Sequence, residues 1–180
     1  MAWHVDLDDE SYEAAREGFE WDLPHDYNIV HDLLRKHEDT EATALYRHRA
    51  DGATETYSFA ELDRLSDRAA NALAERSVER GDRIGIVLSQ TVENPLTHLA
   101  CWKLGAVSLP LSVLFGPDGL ESRLDDSGAV AVVASTEVRE AIAEAATACP
   151  ALEHHVKVGE ATARRSTHCS THRPTSSGMR

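Results

Sequence analysis

The 180-residue sequence predicts an α/β fold: a partial doubly wound, mostly parallel sheet flanked by helices, followed by a disordered C-terminal tail. Three observations lead there. Strand and helix patterns alternate from Arg83 to Val158, and such alternation calls for parallel strands joined by right-handed crossovers. Two of the strand patterns, Arg83-Ile84-Gly85-Ile86-Val87-Leu88-Ser89 and Ala129-Val130-Ala131-Val132-Val133-Ala134, are short apolar runs of the kind buried on both faces. Proline or glycine stands at most joints, proline inside helix starts and glycine past helix ends.

The elements follow in order. Residues 3–23 read as an acidic helical arm, with Tyr12, Ala15 and Phe19 at helical spacing, Trp3 and Trp21 nearby, and Pro24 closing it. Asn28 is placed to cap a helix showing Ile29, Leu33, Leu34 and His37. Residues 43–47 and 54–57 read as a strand pair around the turn signal Asp51-Gly52. Ser58 and Glu61 form a capping box, in which the hydroxyl accepts the Glu61 N–H and the carboxylate accepts the Ser58 N–H. The helix behind it carries Leu62, Leu65, Ala69 and Leu73 on one face, with Asp63, Arg64, Asp67 and Arg68 elsewhere. Gly81-Asp82 breaks the chain before the strand at 83–89. Asn94-Pro95 starts a helix with Leu96, Leu99, Ala100 and Leu104, stopped by Gly105. Residues 106–109 form the next strand, which Pro110 ends. A loop at 111–116 leads to a short helix starting at Pro117, with Leu120 and Leu124 inward and Gly128 as its stop. After the strand at 129–134, Ser135 or Thr136 caps a helix carrying Val138, Ile142, Ala145 and Ala146. Pro150 closes that region, and residues 155–158 are the last strand. Sheets of this kind hold ligands at the carboxyl ends of their strands.

Charge excludes some functions. The formal net charge is −13, from 31 acidic and 18 basic residues, which argues against nucleic acid or an anionic membrane as partner. Only three basic residues are Lys: Lys36, Lys103 and Lys157. Such a surface suits a salt-adapted protein, and it equally suits an ordinary product of a GC-rich genome. The first residues hold Asp6, Asp8, Asp9 and Glu10, the opposite of a basic leader, and no apolar run reaches membrane-spanning length. A cytoplasmic protein is expected. Cys101, Cys149 and Cys169 show no pairing pattern. Residues 161–180 contain four Arg, four Ser, four Thr and no acid, with Met179 the only large apolar side chain, so this stretch cannot bury a core. The chain therefore divides into an arm at 1–25, an α/β body at 26–158 and a basic tail at 159–180. The tail reads as the truncated or out-of-frame end of a longer domain, or as a natural basic tail that contacts a partner.

Three segments, in this order and at this spacing, resemble the N-terminal part of the adenylate-forming acyl-CoA synthetases. They are Tyr57-Ser58-Phe59-Ala60-Glu61-Leu62, Gly81-Asp82-Arg83-Ile84 and Trp102-Lys103-Leu104-Gly105-Ala106-Val107-Ser108-Leu109-Pro110-Leu111. The run Pro110-Leu111-Ser112-Val113-Leu114-Phe115-Gly116-Pro117 is similar to the acetyl- and medium-chain branch. The resemblance covers about residues 27–134. It implies the N-terminal subdomain of an enzyme that joins a short- or medium-chain carboxylic acid to CoA with ATP and Mg²⁺, releasing AMP and pyrophosphate. It also implies that the loop at 111–116 lies near the acyl and CoA grooves.

The chemistry of that family needs an anion cradle: a Ser/Thr/Gly-rich loop ending in Pro-Lys-Gly, an acidic ribose ligand and a late Lys. The one Ser/Thr/Gly cluster here, Thr175-Ser176-Ser177-Gly178, has no Lys and no strand–helix context. Gly81 and Gly85 make no dinucleotide fingerprint, since Gly85 lies inside a strand, where it allows close packing of a helix. His168, Cys169 and His172, with His154 and His155, lack a zinc-site frame. His31 and His37 read as packed or solvated, Lys103 and Glu93 as partners of helix dipoles, and Asp125-Asp126 as solvated. No catalytic, cofactor-binding or metal-binding residue is assigned, no cofactor is expected to bind this chain alone, and no ligase activity is expected of it. The alternative is a non-catalytic α/β module that binds a ligand or partner at its strand ends or apolar loop.

Overall fold

The structure of the protein, a computed structural model, describes residues 11–21 and 23–159. Its first helix, α1 (Tyr12–Gly18), is capped by Ser11, whose Oγ accepts the Ala14 N–H at 3.2 Å. It lies within the arm read from the sequence, of which residues 3–10 and 22 fall outside the described residues, and Tyr12 and Trp21 stand in solvent. A five-residue π-helical turn follows at His31–Arg35. Asn28 secures its entry: Oδ1 accepts the Val30 N–H at 3.0 Å, while Nδ2 donates to the Trp102 carbonyl at 2.9 Å. Val30 and Leu34 form the buried side of this segment, whereas Ile29 and Leu33 are exposed. Of the face read from the sequence Leu34 goes inside while Ile29 and Leu33 do not, and the i, i+4 pair Val30/Leu34 meets Leu62 and Leu99.

Strands β1 (Thr43–His48) and β2 (Thr54–Ser58) pair antiparallel, as expected. Both hydrogen bonds of the Ser58–Glu61 capping box are present and start α2 (Phe59–Ala74). The buried positions of α2 are Leu62, Ser66, Ala70 and Leu73; Leu65 and Ala69 lie half-buried beside them. Ser66 fits there because its hydroxyl donates to the Leu62 carbonyl at 2.6 Å, so no polar group is left unpaired.

The main sheet has four parallel strands in the order β4-β3-β5-β6. They are β3 (Arg83–Val87), β4 (Val107–Pro110), β5 (Ala131–Ser135) and β6 (His154–Val158). The crossovers are α3 (Glu93–Leu104), α4 (Pro117–Asp126) and α5 (Arg139–Ala145). Gly105 ends α3 in the left-handed region at φ 72°, a conformation that favours glycine. Strand alternation divides the core into two layers. Ile84, Ile86, Ala131 and Val133 meet Ala70, Leu73, Ala100 and Cys101 of α2 and α3. Val87, Val132 and Ala134 meet Leu120, Leu124, Ile142 and Ala145 of α4 and α5. Gly85 faces the second layer. A Cβ there would sit 2.7 Å from Leu124 Cδ2, so the glycine does let α4 close onto the sheet.

Ser135 stands at the N-cap position of a 3₁₀ turn, Thr136–Val138, that leads into α5, but it makes no capping hydrogen bond. Among the described residues no helix is long and apolar enough to cross a membrane.

Candidate functional site

The order of the strands locates a crevice. β3 leaves through α3 toward β4, while β5 leaves through α5 toward β6, on the opposite face. The two connections diverge, and a cleft opens between the carboxyl ends of β3 and β5, where open α/β sheets take ligands. Its volume is about 330 Å³. Ser89, Thr91 and Glu93 line it after β3, Ser135, Thr136 and Glu137 after β5, and Arg47 and Arg49 from the hairpin. Asn94 fixes the first of these loops, with Nδ2 donating to the carbonyls of Leu88 at 3.0 Å and Ser89 at 3.3 Å.

The arginine wall is already paired. Arg47 Nη1 donates to Glu55 Oε2 at 3.0 Å, Arg49 Nη1 to Glu55 Oε1 at 3.2 Å, and the Tyr57 hydroxyl to Oε2 at 3.1 Å. The Arg49 hydrogen bond, with help from Arg47 and Tyr57, overcomes burial and holds the Glu55 carboxyl below its usual range. Burial, then the neighbouring Glu55 carboxylate, pushes the Tyr57 phenol up. The Ser135 hydroxyl oxygen is shielded from solvent and has no hydrogen-bond partner among the described residues. The cleft can seat a polar molecule. Among the described residues no imidazole or lysine lines this cleft, although Ser135 also borders a neighbouring groove lined by His155 and Lys157.

The loop at 111–116 lies at the end of β4. The Leu111 N–H donates to the Ile86 carbonyl, and the Leu114 N–H to Ser112 Oγ, so the loop is locally braced. Val113 and Phe115 pack into the α4/α5 layer, with the Arg123 guanidinium 4.2 Å from the Phe115 ring centre. Leu114 turns outward and is 89% exposed.

Other residues singled out from the sequence are dispersed. His37 stacks on Phe59 at 3.8 Å, and His31 is exposed beside Asp32. Asp125 and Asp126 are exposed. Glu93 sits in the first turn of α3, the dipole position expected, and also borders the cleft. Lys103 departs from its expected part. It lies in the last turn of α3, but its ammonium reaches across to α2, donating to the Asp63 carbonyl, Asp63 Oδ1 and Asp67 Oδ1. The described residues contain no cluster of three or more metal-ligating side chains. His168, Cys169, His172 and the run at 175–178 lie outside the described residues.

Sequence reasoning missed two groupings, Arg47–Glu55–Arg49 and Lys103–Asp63–Asp67–Arg35. The first is visible only once hairpin register sets Arg47 opposite Glu55. Half of the second was legible, because Asp63 and Asp67 are four apart on one helix.

Comparison with known proteins gives this architecture relatives. The family model described as AMP-binding enzyme matches residues 33–177. The mitochondrial acyl-coenzyme A synthetase ACSM4 of Rattus norvegicus is 32% identical over 139 residues, covering 73% of this chain and 24% of its own length. The acetyl-coenzyme A synthetase of Methanothrix thermoacetophila is 31% identical over 119 residues, 64% of this chain and 18% of its own. The crystal structure of Brucella canis acyl-CoA synthetase matches with a TM-score of 0.68 at 27% identity, over 74% of this chain and 24% of that one. ATP-bound MatB from Rhodopseudomonas palustris matches with a TM-score of 0.63 at 28% identity, over 73% of this chain and 25% of that one. The chain spans about a quarter or less of the length of these relatives. With the family model covering most of the sequence and the same parallel sheet found in solved synthetases, the chain belongs to the AMP-binding enzyme family.

Proposed function

We propose that this chain is the N-terminal part of an ATP-dependent, AMP-forming acyl-CoA synthetase acting on a short- or medium-chain carboxylic acid. The observation that carries the reading is the family match over residues 33–177, joined to relatives named acyl- and acetyl-coenzyme A synthetases. In the whole enzyme the acid, ATP and CoA are the small-molecule partners, with Mg²⁺ on the phosphates.

By itself the chain is inactive in this reading. Phosphate chemistry needs fixed donors and a Lys at the reacting phosphates. Of its three Lys, Lys103 is committed to Asp63 and Asp67, Lys36 pairs with Asp32, and Lys157 lies on β6. Pyrophosphate release with acetate through octanoate, ATP, Mg²⁺ and CoA tests the function. The purified chain is expected to give none, and clear turnover would falsify the inactivity.

A second reading, a binding module without catalysis, is favoured by the polar cleft and by the Ser135 hydroxyl, which has no hydrogen-bond partner among the described residues. Co-purification of a defined small molecule or protein at one-to-one ratio supports it.

A further inference from the structure

The entry to the α/β body is lightly fastened. Among the described residues from 11 to 42, only Val30 and Leu34 are buried, and α1 has no buried residue. Those two side chains seat on Leu62 of α2 and Leu99 of α3. Polar contacts hold the two ends of the stretch 28–36. At one end Asn28 Nδ2 donates to the Trp102 carbonyl at 2.9 Å. At the other, Arg35 Nε donates to Asp63 Oδ1 at 3.2 Å and to Oδ2 at 3.0 Å. The backbone between them bonds to itself in the π-helical turn, where the Lys36 N–H donates to the His31 carbonyl at 3.0 Å, and it joins neither sheet.

Release of this stretch strands no charge on the body. Lys103 Nζ already holds Asp63 Oδ1 at 2.6 Å from α3, so Asp63 keeps a partner when Arg35 leaves. Arg35 itself is half-exposed, beside a groove of about 410 Å³ that Thr40, Ala60, Arg64 and Asp67 also line. An ion pair is costly to break when one charge is left desolvated and alone, and neither partner is left so here. The sheet layers are different in kind: Ile84, Ala100, Cys101 and Val132 are wholly buried. Stretches with few apolar contacts and solvent-facing hydrogen bonds open well before the fold does.

Charge sets the balance. The first 39 residues contain twelve acids and three bases, so they carry −9 of the −17 in residues 1–160. Residues 40–160 carry the other −8. The entry segment and the body therefore repel at long range while they hold each other at contact range. Salt acts mainly on the first of these. The screening length falls from about 30 Å at 0.01 M to about 3 Å at 1 M, which removes repulsion spread over the width of the molecule. Salt also weakens the half-exposed Arg35–Asp63 pair, but that is one pair set against the repulsion of the whole segment.

We infer that residues 28–36 form an ionic-strength-sensitive latch over the α2/α3 seam. The latch is closed at high salt. At low salt it opens as a unit, carries α1 with it and uncovers Leu62 and Leu99 beside Phe59, Leu96 and Trp102. That apolar strip is thus hidden or offered according to salt.

Amide exchange of the full chain, followed by mass spectrometry at pH 7 from about 0.01 to 1 M KCl, tests the latch. Protection at 31–36 is referred to the urea-unfolded chain at the same salt. At 0.01 M it is expected to be at least about tenfold lower than in β3 and β5, and to fall less steeply with small additions of urea, since a local opening exposes less surface. It is expected to rise by about threefold or more on going to 1 M. Asn28→Ala and Arg35→Gln should each lower it by about threefold or more at fixed salt. The triple change Glu13→Gln, Glu17→Gln, Glu20→Gln, all at exposed positions of the entry segment, should flatten its salt response. Protection at 31–36 equal to that of β3 and β5, or protection that fails to rise with salt, would overturn the latch. So would an Asn28→Ala chain protected like the parent, or a triple variant with the parent's salt response.

Discussion

The Lys103 ammonium meets three oxygens, the Asp63 carbonyl at 2.7 Å, Asp63 Oδ1 at 2.6 Å and Asp67 Oδ1, while Arg35 Nε holds Asp63 Oδ2 at 3.0 Å from the other side. Lys103 is 11% exposed and Asp63 24%, so the pair is shielded but not dry. Removing one partner from such a pair costs more than the pair gains, because the other charge stays desolvated. Arg35 remains to meet Asp63, which limits the loss. Lys103→Met is expected to lower the unfolding free energy by about 1–2 kcal/mol, read from urea denaturation. Asp63 adds a pH signature. Burial alone would raise its pKa, but hydrogen bonds from Arg35 and Lys103 outweigh that and leave it lowered. A carboxylate with a folded pKa below its unfolded value of about 4 gives stability that is present above that value. The stability is lost as pH falls through the folded pKa. Asp63→Asn is therefore expected to lower Tm at pH 7 and to flatten its decline below about pH 4. An unchanged acid limb would show that Asp63 is not the group being titrated.

At the scale of elements, the closest constraint lies between β3 and α4. Gly85 has no room for a side chain: a Cβ would meet Leu124 Cδ2 at 2.7 Å and Val132 Cγ2 at 3.3 Å. Its backbone is not in the left-handed region, so the cost of an added methyl is packing alone. Gly85→Ala is expected to destabilise by about 1–3 kcal/mol in thermal or urea melts, and pairing it with Leu124→Ala should cost less than the sum of the two single changes. This glycine was readable in the sequence because it interrupts an apolar run, and strand interiors tolerate glycine where something packs close. Capping signals were equally readable: Ser58–Glu61, Pro117 and Gly105 each fix one backbone position through local chemistry alone. The entry to the body was less readable. Ile29 and Leu33 satisfy a helical pattern as well as Val30 and Leu34 do, and only packing on Leu62 and Leu99 decides which pair goes inside. The cleft is legible to the extent that alternation implies strand ends. Its arginine wall comes from hairpin register, and its position comes from the strand order β4-β3-β5-β6, which local pattern leaves open.

For the whole molecule the decisive quantity is charge. The net charge is −13, and since residues 161–180 carry four Arg and no acid, the first 160 residues carry −17. Repulsion among like charges spread over such a body acts across its full width. Screening length falls from about 30 Å at 0.01 M salt to about 3 Å at 1 M, so added KCl removes that repulsion. The same salt weakens exposed ion pairs, but those contribute about 0–1 kcal/mol each. Contacts such as Lys103–Asp63 at 2.6 Å and 11% exposure lie inside any screening length and lose little. The repulsive sum is therefore the larger salt-sensitive quantity, and Tm is expected to rise steadily as KCl is raised from 0.01 to 1 M. The rise should be at least as steep for Lys103→Met, which takes one positive charge from an already acidic chain. Scanning calorimetry over that range checks it. Greater stability in low salt would remove the salt-adapted reading and leave the Arg-rich, Lys-poor composition as the imprint of a GC-rich genome.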